Sequence, residues 1–95
     1  MIAIERVYRQ IKDIAQAHGA RRVVLFGSRA RGDAGPKSDI DIAVEGCDDF
    51  AAFLDDVQEH LWSLLELDVV NLDNPIAPEL RESISRDGET IYEAI

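Results

Sequence analysis

With 95 residues and 10.6 kDa, the chain is sized for one domain, 1–95, around one core, which excludes a large catalytic unit joined to a separate substrate-binding unit. Hydrophobic residues make up 46% and charged residues 31%, the balance of a folded domain and not of a disordered one. Ten Lys and Arg against 19 Asp and Glu give a net charge of −9, which opposes non-specific binding to a phosphate backbone, so no direct nucleic-acid partner is expected.

In chain order, Ile4, Val7, Ile11 and Ile14 form one apolar stripe at helical spacing within residues 2–18. Gly19 stands where such a helix would be capped. Val23-Val24-Leu25-Phe26 follows as a short buried strand. Residues 27–37 form a polar loop containing Gly and Pro, with room for one helical turn at Ser28–Arg31. Asp39-Ile40-Asp41-Ile42-Ala43-Val44 alternates as a strand does. Asp48 and Asp49 open a helix where the dipole favours acids. Its apolar positions are Phe50, Phe53, Leu54, Val57, Leu61, Leu64 and Leu65. Residues 67–72 predict a third strand. Pro78 fits the first position of a helix carrying Leu80 and Ile84. Gly88 ends that helix, and Thr90-Ile91-Tyr92 predicts a last strand. The order is α-β-α-β-α-β-α-β, an α/β fold with helices packed on a sheet.

The single cysteine, Cys47, permits no disulfide within the chain and fits a reducing, cytoplasmic setting. A multi-Cys zinc site is excluded. No apolar run approaches the ~20 residues of a membrane helix, and residues 1–9 lack the apolar segment of a signal peptide. No membrane partner is expected.

Charge is segregated. Residues 21–37 hold five basic residues against one acid, Asp33, for a net +4; the remainder holds five against 18, for −13. A basic patch in an acidic chain suits one small anionic ligand, although Arg21 and Arg22 read most simply as flanks of a strand. Two features inside and beside the patch could carry chemistry. Asp39 and Asp41, two apart on a strand, project to one face with backbones about 7 Å apart, close enough to share a hard cation. Asp68 adds a third carboxylate that interrupts an apolar strand, where an uncompensated charge would be costly. Gly27-Ser28-Arg29-Ala30-Arg31-Gly32 directly follows a strand. Its glycine permits close approach of the backbone, a helix start offers free amides to an anion, and Ser28, Arg29 and Arg31 add a hydroxyl and guanidinium forks. Neither the Walker A spacing nor G-x-G-x-x-G is present. A phosphate cradle followed by paired acids and then a lone acid on a later strand is the layout of two-metal nucleotidyl transfer.

Gly27-Ser28-x-Ala30-Arg31-Gly32, Ser38-Asp39-Ile40-Asp41-Ile42-x-Val44 and Leu67-Asp68-Val69-Val70 together resemble the minimal nucleotidyltransferases of the DNA polymerase beta-like superfamily. By motif the resemblance spans roughly residues 20–72, with no departure at the catalytic positions. It implies a single-domain nucleotidyltransferase fold with a mixed sheet. It also implies transfer of AMP from ATP with two Mg²⁺ ions. Gly27, Ser28, Arg29, Arg31 and Ser38 would bind the nucleotide. Asp39, Asp41 and Asp68 would ligate the metals, with Asp68 helping to activate the attacking hydroxyl. Relatives of this size act as antitoxins beside a helical HEPN ribonuclease toxin, in characterised cases by adding AMP to one of its tyrosines. The same resemblance admits a non-catalytic antitoxin that masks its partner by stoichiometric contact. Transfer to a small molecule such as an antibiotic is disfavoured, since a chain this short leaves no room for an acceptor-binding domain.

Other residues read as structural. Neither His18 nor His60 has a partner at ligand spacing. Cys47 reads as a small buried filler, and Trp62, Phe50 and Phe53 as core or interface. Tyr8 and Tyr92 read as packing residues. Asp55, Asp56 and Glu59 make a solvated helix face or a docking surface for a basic partner.

Overall fold

A computed structural model describes residues 4–35, 38–60 and 66–94. The elements follow the expected order: α1 (Ile4–Ala17), β1 (Arg22–Phe26), α2 (Ser28–Arg31), β2 (Ile40–Glu45), α3 (Phe50–His60), β3 (Leu67–Asn71), α4 (Pro78–Asp87) and β4 (Glu89–Glu93). The four strands form one mixed sheet in the order β3-β2-β1-β4. β1 runs antiparallel to both β2 and β4, whereas β2 and β3 are parallel. The predicted Leu61, Trp62, Leu64 and Leu65 lie outside the described residues, as do Pro36 and Lys37.

Local signals end the elements where the sequence places them. Gly19 takes a left-handed φ of 69°, so the Ala20 amide reaches back to the Ala15 carbonyl (2.9 Å) and the Gly19 amide to Gln16 (3.2 Å), the pairing of a Schellman cap. Asp49 caps α3 by accepting a hydrogen bond from the Ala52 amide at 3.1 Å. Pro78 opens α4, and the Gly88 amide closes on the Ile84 carbonyl.

Strand alternation sorts the core onto two faces. Val23, Leu25, Ile40, Ile42 and Val44 point to one side, against Val7, Ile11 and Ala15 of α1 and Phe53 and Val57 of α3. Val24, Phe26 and Ala43 point to the other, against Ile84 of α4. Phe53, Ile11, Ile40 and Ile42 have essentially no exposed surface, and burying each such side chain contributes about 1.5–3 kcal/mol. Both faces of β1 and β2 are thus covered. The acid-bearing face of β2 is not an open surface: Ala43, two residues after Asp41, is fully buried beneath α4. The aspartates occupy one end of that face, where it reaches solvent, and Glu45 occupies the other. Cys47 is buried, and Tyr8 and Tyr92 pack half-buried against the larger cluster.

Candidate active site

The aspartates meet through sheet register. Phe26, at the end of β1, pairs with Asp41, and Asp41 pairs with Asp68 across the parallel β2–β3 ladder. Directly paired residues share a face, so the two carboxylates lie side by side on the α4 face, each within electrostatic reach of the other. Asp39 stands just before the first residue of β2 and is exposed. Burial pushes the Asp41 carboxyl above its ordinary range; the negative charges of Asp68 and Asp39 push the same way, and Arg31 partly opposes them.

Asp68 departs from the sequence reading. It is exposed, not embedded in a core strand, because β3 is an edge strand of the sheet. The cost of burying a charge therefore gives no reason for its presence. What makes Asp68 distinctive is its register opposite Asp41.

The turn from β1 into α2 lies against this pair. Gly27 has φ 74° and ψ −157°, a conformation that is essentially glycine-only. A Cβ built there would collide with the Asp41 carboxylate. Glycine is thus required twice, for its backbone angle and for the approach of the aspartate. α2 is a single turn, whose first backbone bonds run from the Ala30 and Arg31 amides to the Gly27 carbonyl. The Ser28 and Arg29 amides precede them, without intrahelical acceptors. Gly32 ends the turn in the left-handed region.

The basic residues are more committed than their spacing suggests. Arg31 lies within electrostatic reach of Asp41 and also approaches Asp33 (3.2 Å) and Asp87 of α4 (3.8 Å). Arg29 donates from both Nε (3.0 Å) and Nη2 (2.8 Å) to the Ser38 carbonyl. Ser38 itself closes a turn, accepting the Gly35 amide at its hydroxyl (2.9 Å) while its own amide donates to the Gly35 carbonyl.

Among the described residues no three His, Cys, Asp or Glu side chains converge as a ready-made metal cage. The gathered donors are carboxylate oxygens, and the charge around Asp41 is under-compensated. Mg²⁺ takes one or two carboxylates and completes its shell with phosphate oxygens and water, so an open all-oxygen set of this kind fits it.

A second carboxylate centre was not evident from sequence. Asp56 accepts His18 Nε2 at one oxygen and His60 Nδ1 at the other, each at 2.7 Å. The histidines are therefore partnered, and Asp56 is half-buried rather than part of a fully solvated face. The i,i+4 spacing of Asp56 and His60 was a usable signal; His18, 38 residues from Asp56, had none.

Comparison with known proteins follows this geometry. The family "Polymerase beta, Nucleotidyltransferase" matches residues 9–94. No curated protein matches the chain. A toxin–antitoxin crystal structure with AMP-PNP superposes with a TM-score of 0.73 at 25% identity, covering 92% of this chain and 73% of that one. A candidate minimal nucleotidyltransferase superposes at 0.68 with 30% identity, covering 90% of each chain. The complex of a tri-AMPylated HEPN toxin with its MNT antitoxin from Shewanella oneidensis shares the fold at 0.68 and 22% identity, over 95% of this chain and 72% of that one. The chain belongs to the polymerase beta nucleotidyltransferase family.

Proposed function

We propose that this nucleotidyltransferase transfers AMP from ATP to a hydroxyl of a helical HEPN-type toxin and thereby acts as its antitoxin. The observation that carries the reading is the in-register Asp41–Asp68 pair packed against the glycine-only turn at Gly27. Structures of similar proteins describe a toxin–antitoxin with AMP-PNP and an AMPylated HEPN toxin.

In this reading the Ser28 hydroxyl and the turn amides bind the triphosphate, and Arg31 balances its charge. Asp39, Asp41 and Asp68 would hold Mg²⁺, which neutralises phosphate charge when bound. The acceptor oxygen bonds to the α-phosphorus, the bond from that phosphorus to the β-bridging oxygen breaks, and pyrophosphate leaves with the electron pair. Asp68 takes the hydroxyl proton. Its exposure on an edge strand suits that role, since an acceptor on a second chain must reach it.

Intact mass of the co-expressed partner provides the test. With ATP and Mg²⁺ the partner should gain whole adenylyl groups, and the double variant Asp39→Asn, Asp41→Asn should abolish the gain. A partner that stays unmodified yet remains inhibited would replace this reading with masking by contact.

A further inference from the structure

Arg29 has a chemistry its position in the phosphate-side turn does not explain. Its Nε and Nη2, the edge of the guanidinium that would chelate a phosphate, both donate to the Ser38 carbonyl, at 3.0 and 2.8 Å. That carbonyl belongs to the peptide plane on the N-terminal side of Asp39. The plane on the C-terminal side is held as well, because the Ile40 amide donates to the Glu66 carbonyl at 2.9 Å. Asp39 is exposed and lies outside the sheet ladder, yet both of its flanking peptides are pinned. Arg29 is further tied to α1 by a hydrogen bond to the Tyr8 side chain.

We infer that Arg29 is a positioning residue that acts through Asp39, fixing the carboxylate's approach to Asp41 and Asp68, and is not a ligand of the triphosphate. The inference rests on the role proposed above for Asp39. The clamp joins the residue following Ser28 to the peptide preceding Asp39, so the phosphate-binding turn and the carboxylate strand keep one spacing. Because two parallel N–H donors on one oxygen need the planar fork, Lys cannot reproduce the contact although it keeps the charge.

The test compares Arg29→Ala and Arg29→Lys in the full chain. Hydrogen exchange at the Ile40 amide, read by NMR without nucleotide or metal, should accelerate about fivefold or more in both variants while Ile42 is unchanged. In the transfer assay both variants should need about fivefold more Mg²⁺ for half-maximal rate, with KM for ATP at saturating Mg²⁺ within about twofold of wild type. Unchanged exchange at Ile40 overturns the inference. So does a raised KM for ATP in Arg29→Ala that Arg29→Lys restores, the behaviour of a phosphate ligand. A wild-type chain that transfers no AMP would sink the proposed function, while the exchange measurement would still decide the role of Arg29.

Discussion

Two carboxylate centres sit at different places in this small molecule and are built on opposite principles. Around Asp56, two imidazoles meet one carboxylate, each on its own oxygen, and its pKa is held below the ordinary range by those hydrogen bonds, His18 first. Asp41 instead has Asp68 and Asp39 beside it, and its pKa is held above the ordinary range by burial and their charge, which Arg31 only partly opposes. The first centre satisfies itself and ties the end of α1 to α3. The second is left short of positive charge beside a turn that only glycine can make. A fold gains nothing from gathering like charges, and this imbalance is what the proposed Mg²⁺ and triphosphate would relieve.

The contrast breaks most sharply if Asp39→Asn with Asp41→Asn leaves transfer intact. The expected loss is at least about 10²–10³-fold, the scale for removing a preorganised electrostatic stabiliser, measured as the initial rate of AMP incorporation. Gly27→Ala comes next. The φ of 74° and the collision with Asp41 predict about 1–3 kcal/mol of backbone strain together with loss of nucleotide binding. Gly32→Ala, where nothing lies within 4 Å of the new Cβ, should show a smaller fall in melting temperature and keep binding. Equal behaviour of the two variants in nucleotide titration would remove Gly27 from the site.

Asp41→Asn should stabilise the metal-free protein. Since the Asp41 carboxyl is held above its ordinary 3.8, the folded state binds the proton more tightly than the unfolded one. Stability therefore falls as pH rises from about 3.8 through the raised folded value. The variant lacks that fall, and its melting temperature at neutral pH should lie above that of the wild-type chain. An unchanged or lower value in chelator-treated protein would mean that the carboxylates do not repel.

The smallest effect belongs to the balanced centre. Asp56 holds His60 above its ordinary 6.5 through a side-chain hydrogen bond. That contact stabilises the fold fully below about pH 6.5 and fades as pH rises through the raised value. Asp56→Asn should lower the His60 pKa toward 6.5 in an NMR titration, shift the melting temperature less than the variants above, and leave AMP transfer unchanged.

Much of this architecture was legible because the signals are local. Gly19 after the Ile4/Val7/Ile11 stripe and Asp49 before Phe50 each mark a boundary through a bond made within a few residues, and Pro78 before Leu80 marks one through its fixed φ at the helix start. Strand periodicity pairs Asp39 with Asp41, whereas Asp39 stands just before β2, outside the ladder, with its charge acting on Asp41. Edge position and register were not legible. Asp68 read as a buried charge because Leu67, Val69 and Val70 surround it in sequence, whereas β3 has a neighbour on one side only. Arg29 read as a phosphate fork because sequence shows its charge and its neighbours but not that the Ser38 carbonyl folds back onto it. The match to His18 across the α1–α3 contact was invisible for the same physical reason: a hydrogen bond between distant segments leaves no periodicity.

The most direct measurement uses ATP labelled in turn at the α- and γ-phosphate, with the chain, Mg²⁺ and the HEPN-type partner. Label from the α position should become protein-bound and label from the γ position should leave in pyrophosphate. Protein-bound γ label, or no protein-bound label from either position, would contradict the account.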